Sequence, residues 1–193
     1  MQRRTLLKQL GLIAGAAIIL PHCTSKEAAT EATVALHNLK VSGEQENLLA
    51  TMTDALIPKT DTPGAKELNI HHYVLRMVDD CVNAETQKRF MAGMAQAQKA
   101  IADKTGKDAE ACTPAEWQAF FQDMEASKTA APAPAQGDDD LKDFYGRFRQ
   151  LTIRGYLGSE YVMTNVFGYK MIPGKFTGEV KIDANSDLKT ILA

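Results

Sequence analysis

Apolar residues recur along this chain with the period of an α-helix, and the stretches between them carry the residues that start and stop helices. Ser42 and Gln45 have capping-box spacing, and Leu48, Leu49, Met52, Ala55 and Leu56 then fall on one face until Pro58 ends the run. The polar loop from Pro58 to Gly64 offers Thr60 and Asp61 to cap or turn the chain. A second stripe, Ile70, Tyr73, Val74, Met77, Val78 and Cys81, predicts a helix with a clean buried face. A third helix is expected from about Glu85 to Lys104, with Phe90, Met94, Ala97 and Ile101 inward and Gly106 past its end. Thr113-Pro114-Ala115-Glu116 is a strong start for a fourth, carrying Trp117, Phe120, Phe121 and Met124.

The pattern breaks over Ser127 to Asp140, SKTAAPAPAQGDDD, which cannot bury a face and is expected to be a flexible excursion. Its aspartates lack the glycine turn and closing glutamate of a calcium loop, and a charge run ending in a helix cap at Asp140 is the better reading. Leu141, Phe144, Phe148 and Leu151 predict a fifth helix, which Gly155 and Gly158 are expected to interrupt. Ser159 then caps a short helix over Val162 and Val166, followed by an extended, turn-rich arm from Gly168 to Gly178 and a loose tail over 181–193. The expectation is therefore an all-α protein: one irregular domain of five to six helices over 41–180, preceded by a polar tether over 24–40.

Composition changes this picture little. The chain is 45% hydrophobic and 24% charged, ordinary for a globular protein. Its formal charge is -2, and without Arg3, Arg4 and Lys8 of residues 1–22 the body has 19 basic against 24 acidic residues, or -5. A mildly acidic body argues against nucleic-acid binding.

The N-terminal end changes it more. QRRTLLK followed by the apolar run Leu10 to Leu20 has the form of a secretory signal and is too short for a comfortable membrane span. Arg3 and Arg4, with Leu6, Leu7 and Lys8 behind them, resemble a twin-arginine signal, whose route exports folded proteins; a general secretory signal is the alternative. Cys23 after this run is a candidate for lipid attachment, although His22 departs from the lipoprotein pattern, so cleavage near Ala28-Ala29 and an uncleaved anchor stay open. In each case the folded part lies outside the cytoplasm, in the periplasm or cell envelope. An oxidising compartment would allow Cys81 and Cys112 to pair, the alternative being two thiols that never meet.

Candidate chemistry is sparse. His71 and His72 lie beside the second stripe, about 100° apart around the helix, and are expected to be exposed or capping residues, not a metal pair. Met91 and Met94 are expected to be core filler. No G-x-G-x-x-G follows a strand, and C-x-x-C-H, G-x-S-x-G and H-E-x-x-H are missing. No catalytic, cofactor-binding or metal residues are assigned. What stands out is the stretch 144–178, which holds eight of the thirteen aromatic residues and six of the thirteen glycines, a mixture suited to a contact surface.

Four features together resemble the small subunit (subunit 3) family of membrane-bound gluconate 2-dehydrogenase and related flavin-dependent sugar and polyol dehydrogenases. They are the twin-arginine start, Asp54-Ala-Leu-Ile-Pro58, Thr60-Asp-Thr-Pro-Gly-Ala65, and Leu151-Thr-x-x-Gly-Tyr-x-x-Ser-Glu160 with Gly168-Tyr169 and Pro173-Gly174-Lys-Phe-Thr-Gly178. The resemblance implies a non-catalytic subunit with no cofactor of its own. Its partners would be a large flavoprotein carrying FAD, a c-type cytochrome carrying haem c where one is present, and the twin-arginine translocation machinery. It implies further that the small subunit assists maturation and export of the large one. Docking would then fall to Arg154, Tyr156, Ser159, Glu160, Tyr161, Phe167, Tyr169, Pro173 and Phe176. The competing readings are an envelope lipoprotein acting as a binding or scaffold module, and a stand-alone enzyme working around Glu160, Arg154 or the histidines.

Overall fold

A computed structural model describes residues 31–129, 140–172, 174, 178, 179 and 181, with backbone alone at 127–129. The expected signal residues Arg3, Arg4, Leu6, Leu7 and Lys8, as well as Cys23, Pro173, Phe176, the run Ala130 to Asp139 and most of the tail, lie outside them. The described residues form an all-helical domain without a strand: α1 (Gly43–Leu56), α2 (Ile70–Cys81), α3 (Ala84–Thr105), a 3-10 turn (Ala109–Ala111), α4 (Pro114–Thr129), α5 (Asp140–Leu157) and a π-helical turn (Val162–Val166). An isolated bridge between Glu31 and Ser42 is the one extended pairing among them. None of the described helices is long and apolar enough to cross a membrane.

The caps predicted at Ser42, Gly106 and Thr113 are in place, and Asn83 is one the sequence reading did not name. Ser42 and Gln45 close a reciprocal capping box on α1, and Asn83 accepts from the Thr86 amide at the start of α3. Gly106 ends α3 at φ 70°, in the left-handed conformation that glycine adopts without a Cβ penalty. At the start of α4 the Thr113 amide donates to Glu116 and the Glu116 amide donates back to the Thr113 hydroxyl. Lys107, followed by the Thr113 amide and hydroxyl, holds the Glu116 carboxyl down to about 2. Because that value is depressed, the stability it contributes is complete above the ordinary carboxylate value of 4.5 and is lost as pH falls towards 2. Glu116→Gln is expected to flatten that part of the acid limb in a series of urea melts across pH, leaving the neutral limb parallel to wild type.

One core joins all five helices, with α3 and α2 packed on α5 and α1 packed on α4. Trp117, Phe120, Phe121, Phe144, Tyr145 and Phe148 form its aromatic centre. Phe144 stacks on Phe148 at 5.6 Å and Phe121 stacks on Tyr145 at 5.1 Å between ring centroids. This corrects the reading of 144–178 as one contact surface: its first three aromatic residues are fully buried. A second correction concerns Gly155, which does not interrupt α5. The helix runs through it to Leu157, and a Cβ there would lie 2.5 Å from the Tyr73 ring of α2. Glycine at this position lets an aromatic ring sit against the helix backbone.

Residues 31–40 are fastened, unlike the tether expected of them. Val34 is buried in the core. Glu46 of α1 accepts from the amide and hydroxyl of Thr33 and from the amide of Val34. Burial pushes the Glu46 carboxyl up, and the Thr33 hydroxyl, His72 and the two amides outweigh it, so its pKa falls below the ordinary value. Near the other end of the segment the Asp79 carboxylate accepts from the amides of His37 at 2.5 Å, Asn38 at 2.8 Å and Leu39 at 2.6 Å. The Asn38 side chain donates in return to the Asp79 carbonyl at 3.0 Å.

Of the two readings of Cys81 and Cys112, the structure has the unpaired one. Both are free thiols, Cys81 exposed at the end of α2 and Cys112 buried after the 3-10 turn. Cys112 donates to the Asp108 carbonyl at 3.5 Å, and Cys81 faces Met77 Sδ at 3.9 Å.

Candidate functional site

Three of the segments that carry the family resemblance, Asp54 to Pro58, Thr60 to Ala65 and Leu151 to Glu160, meet at one corner of the described domain. After α1 ends, the chain folds back so that the Ala65 amide donates to the Ile57 carbonyl at 2.9 Å and the Ile70 amide to the Ala65 carbonyl at 3.0 Å. Gly64 sits so close to the end of α1 that a Cβ would meet the Lys59 nitrogen at 2.8 Å and Asp54 Oδ1 at 3.0 Å. Tyr156 from α5 reaches this loop, its hydroxyl lying 3.0 Å from both Thr62 Oγ1 and the Pro63 carbonyl. Tyr156 therefore staples α5 to the loop.

Beside this corner runs an open groove of about 480 Å³ between the start of α2 and the end of α5. Asn69, Tyr73, Arg154, Gly155, Ser159 and Glu160 are among the residues lining it. Asn69 takes the left-handed conformation, φ 51°, to start α2, a geometry asparagine tolerates better than most residues. A second groove of about 360 Å³ adjoins it at Leu68, Ser159 and Glu160 and continues past Tyr161, Thr164 and Asn165. Ser159 turns the chain there: its hydroxyl donates to the Tyr156 carbonyl at 2.7 Å and accepts from the Val162 amide at 3.4 Å, which begins the turn as the sequence predicts. Arg154 and Glu160 are exposed on the rim, and Tyr161 and Phe167 are half-buried.

The chain leaves the π turn through Gly168, at φ 66°, with the Tyr169 amide donating to the Met163 carbonyl at 2.8 Å. From there it is exposed: Tyr169 is 52%, Met171 84% and Ile172 85% accessible. Two adjacent large apolar residues left almost wholly in water are unusual in a settled domain surface. Sequence reasoning named Tyr169 here and missed Met171 and Ile172, although the pair is legible as an apolar step inside the glycine-rich arm.

The two histidines are placed differently from their expected positions. His71 is buried, 7% exposed, and its ring meets that of His72 edge-on at 4.2 Å. His72 Nε2 lies 2.9 Å from Glu46 Oε1 and His71 Nε2 lies 3.9 Å from the same oxygen. Burial, then the neighbouring His72, lowers the His71 imidazole to about 4, so it is neutral at pH 7.

Fold and grooves together define a small all-helical domain whose most distinctive surface is a corner with an exposed apolar step beside it. The chain belongs to the gluconate 2-dehydrogenase subunit 3 family, whose model matches residues 43–174. That match spans α1 through the first part of the arm. Neither a curated protein nor a solved structure gives a match.

Proposed function

We propose that this chain is the non-catalytic small subunit of a periplasmic, flavin-dependent dehydrogenase of the gluconate and sugar type. It helps the large FAD-bearing subunit to mature and carries it through the twin-arginine route by means of Arg3 and Arg4. A flavoprotein that loads its cofactor before export must cross the membrane folded, and a bound partner bearing the signal meets that need. Where the complex includes a c-type cytochrome, haem c resides in that third chain. Attachment to the membrane, through the signal segment or a lipid on Cys23, would hold the assembly beside its electron acceptor.

The observation that carries the docking half of this reading is the exposed step Tyr169, Met171 and Ile172 leaving a turn that walls the second groove. Apolar side chains there offer the centre of an interface, and Arg154 and Glu160 offer a polar rim. Pro173 and Phe176 continue the same arm in sequence.

The test is complementation of a strain lacking the chain, followed by fractionation for the flavoprotein. Wild type is expected to restore periplasmic flavoprotein. Neither Arg3→Lys/Arg4→Lys nor Met171→Asp/Ile172→Asp is expected to do so, the latter also abolishing co-purification. Export of the flavoprotein by both variants at wild-type level would overturn the proposal.

A further inference from the structure

We propose that Glu46, His71 and His72 form a binding site for one divalent transition-metal ion of the zinc type. One donor atom from each lies within 4.8 Å of the others. The donors of a tetrahedral zinc site with bonds of about 2.0 to 2.1 Å are roughly 3.3 Å apart. The distances from Glu46 Oε1 to the Nε2 atoms of His72 and His71, 2.9 and 3.9 Å, straddle that value, so each of these two pairs is within an ångström of ligand spacing.

Three features favour an ion over a plain hydrogen-bond cluster. His71 is buried, its Nδ1 has no hydrogen-bond partner, and its Nε2 stands 3.9 Å from Glu46 Oε1, beyond hydrogen-bond range. The fold gives Nε2 no hydrogen bond to the carboxylate, so a metal there would displace no such contact, and the unpaired Nδ1 would stay as the ring's other nitrogen. Secondly, Glu46 Oε2 is held by the Thr33 and Val34 amides, while Oε1 accepts from the Thr33 hydroxyl and faces the two rings, so an ion would share Oε1 with that hydroxyl. Backbone contacts of this kind orient a ligating carboxylate and hold it ionised. Thirdly, His72 is partly exposed while the other two are buried, which gives an ion one way in. Two imidazoles and a carboxylate suit zinc and its neighbours, not calcium or magnesium, which prefer oxygen donors throughout. An ion there would tie α1 and α2 together beneath the segment at Thr33.

The assay titrates Zn²⁺ into the metal-free full chain with ¹⁵N-labelled histidine, following ring nitrogens and stoichiometry together. One equivalent is expected to bind and to shift the Nε2 resonances of His71 and His72 while leaving those of His37 in place. His72→Gln and Glu46→Gln are each expected to weaken binding by more than about tenfold, since even the loss of a supporting contact to a ligand costs that much. His37→Ala, which disrupts the exposed grouping of His37, Asp79 and Asp80, is expected to leave binding unchanged. No saturable binding, or binding lost in His37→Ala with the His71 and His72 resonances unmoved, would overturn the assignment. The spectral readout is taken on wild-type protein, so it stands even if a variant fails to fold.

Discussion

Gly93→Ala is expected to destabilise the domain by about 3 kcal/mol, the upper part of the usual range for an overpacked core. A Cβ at Gly93 of α3 would lie 2.1 Å from the Asp140 carbonyl oxygen and 2.5 Å from Phe144 Cβ. Neither atom belongs to the flexible end of a side chain, so α5 itself would have to move. That movement would disturb the Phe90–Phe144 ring contact at 4.9 Å and the ion pairs from Arg89 to Asp140 and Asp143. Gly146→Ala is the matched control, because it lies within α5 with nothing near its would-be Cβ. There the same change is expected to stabilise by about 0.5 to 1 kcal/mol, through the helix preference of alanine. Urea denaturation of both variants should give opposite signs. A melting temperature for Gly93→Ala within a degree of wild type would show that α3 and α5 do not approach as described.

The second large effect is expected at Asp79. Asp79→Ala leaves three backbone donors, at His37, Asn38 and Leu39, without an acceptor and should cost about 3 kcal/mol. Hydrogen exchange should show protection lost at those three amides first. Burial pushes the carboxyl up, but the His37, Leu39 and Asn38 amides outweigh it and hold it below its ordinary value. A depressed value means that this stabilisation is complete above the ordinary carboxylate range and fades as pH falls through the lowered one. Asp79→Asn, which cannot ionise, should therefore be weaker than wild type at pH 7 and approach it in acid. Equal stabilities of Asp79→Asn and wild type at neutral pH would remove Asp79 as the anchor.

Much of the helical framework was legible because its signals are local. Ser42 with Gln45, Gly106 and Thr113 with Glu116 each fix a boundary within three or four residues, and the apolar stripes between them say which face is inward. The end of α5 was not legible in this way. Gly155 is a helix breaker on propensity, and only the Tyr73 ring, more than eighty positions earlier, shows why the helix continues through it. The same limit explains the polar anchors. Glu46 and Asp79 look like ordinary surface acids on their helices, and their partners lie 12 to 13 and 40 to 42 positions away. The 100° argument about His71 and His72 treated them as points on a cylinder. Long side chains at the first turn of α2 can still converge when a carboxylate from α1 faces them both. Within 144–178 the sequence did not show which aromatics face outward, since the burial of Phe144, Tyr145 and Phe148 depends on where α2, α3 and α4 pass.

The two carboxylate anchors on residues 31–40 also decide how this domain would respond to mechanical load. A pull on Glu31 would not unzip a slack leader one residue at a time. It would meet Glu46 on α1, then the side chain of Val34 seated in the core, and then Asp79 on α2, so that release at one helix would leave the segment still held at the other.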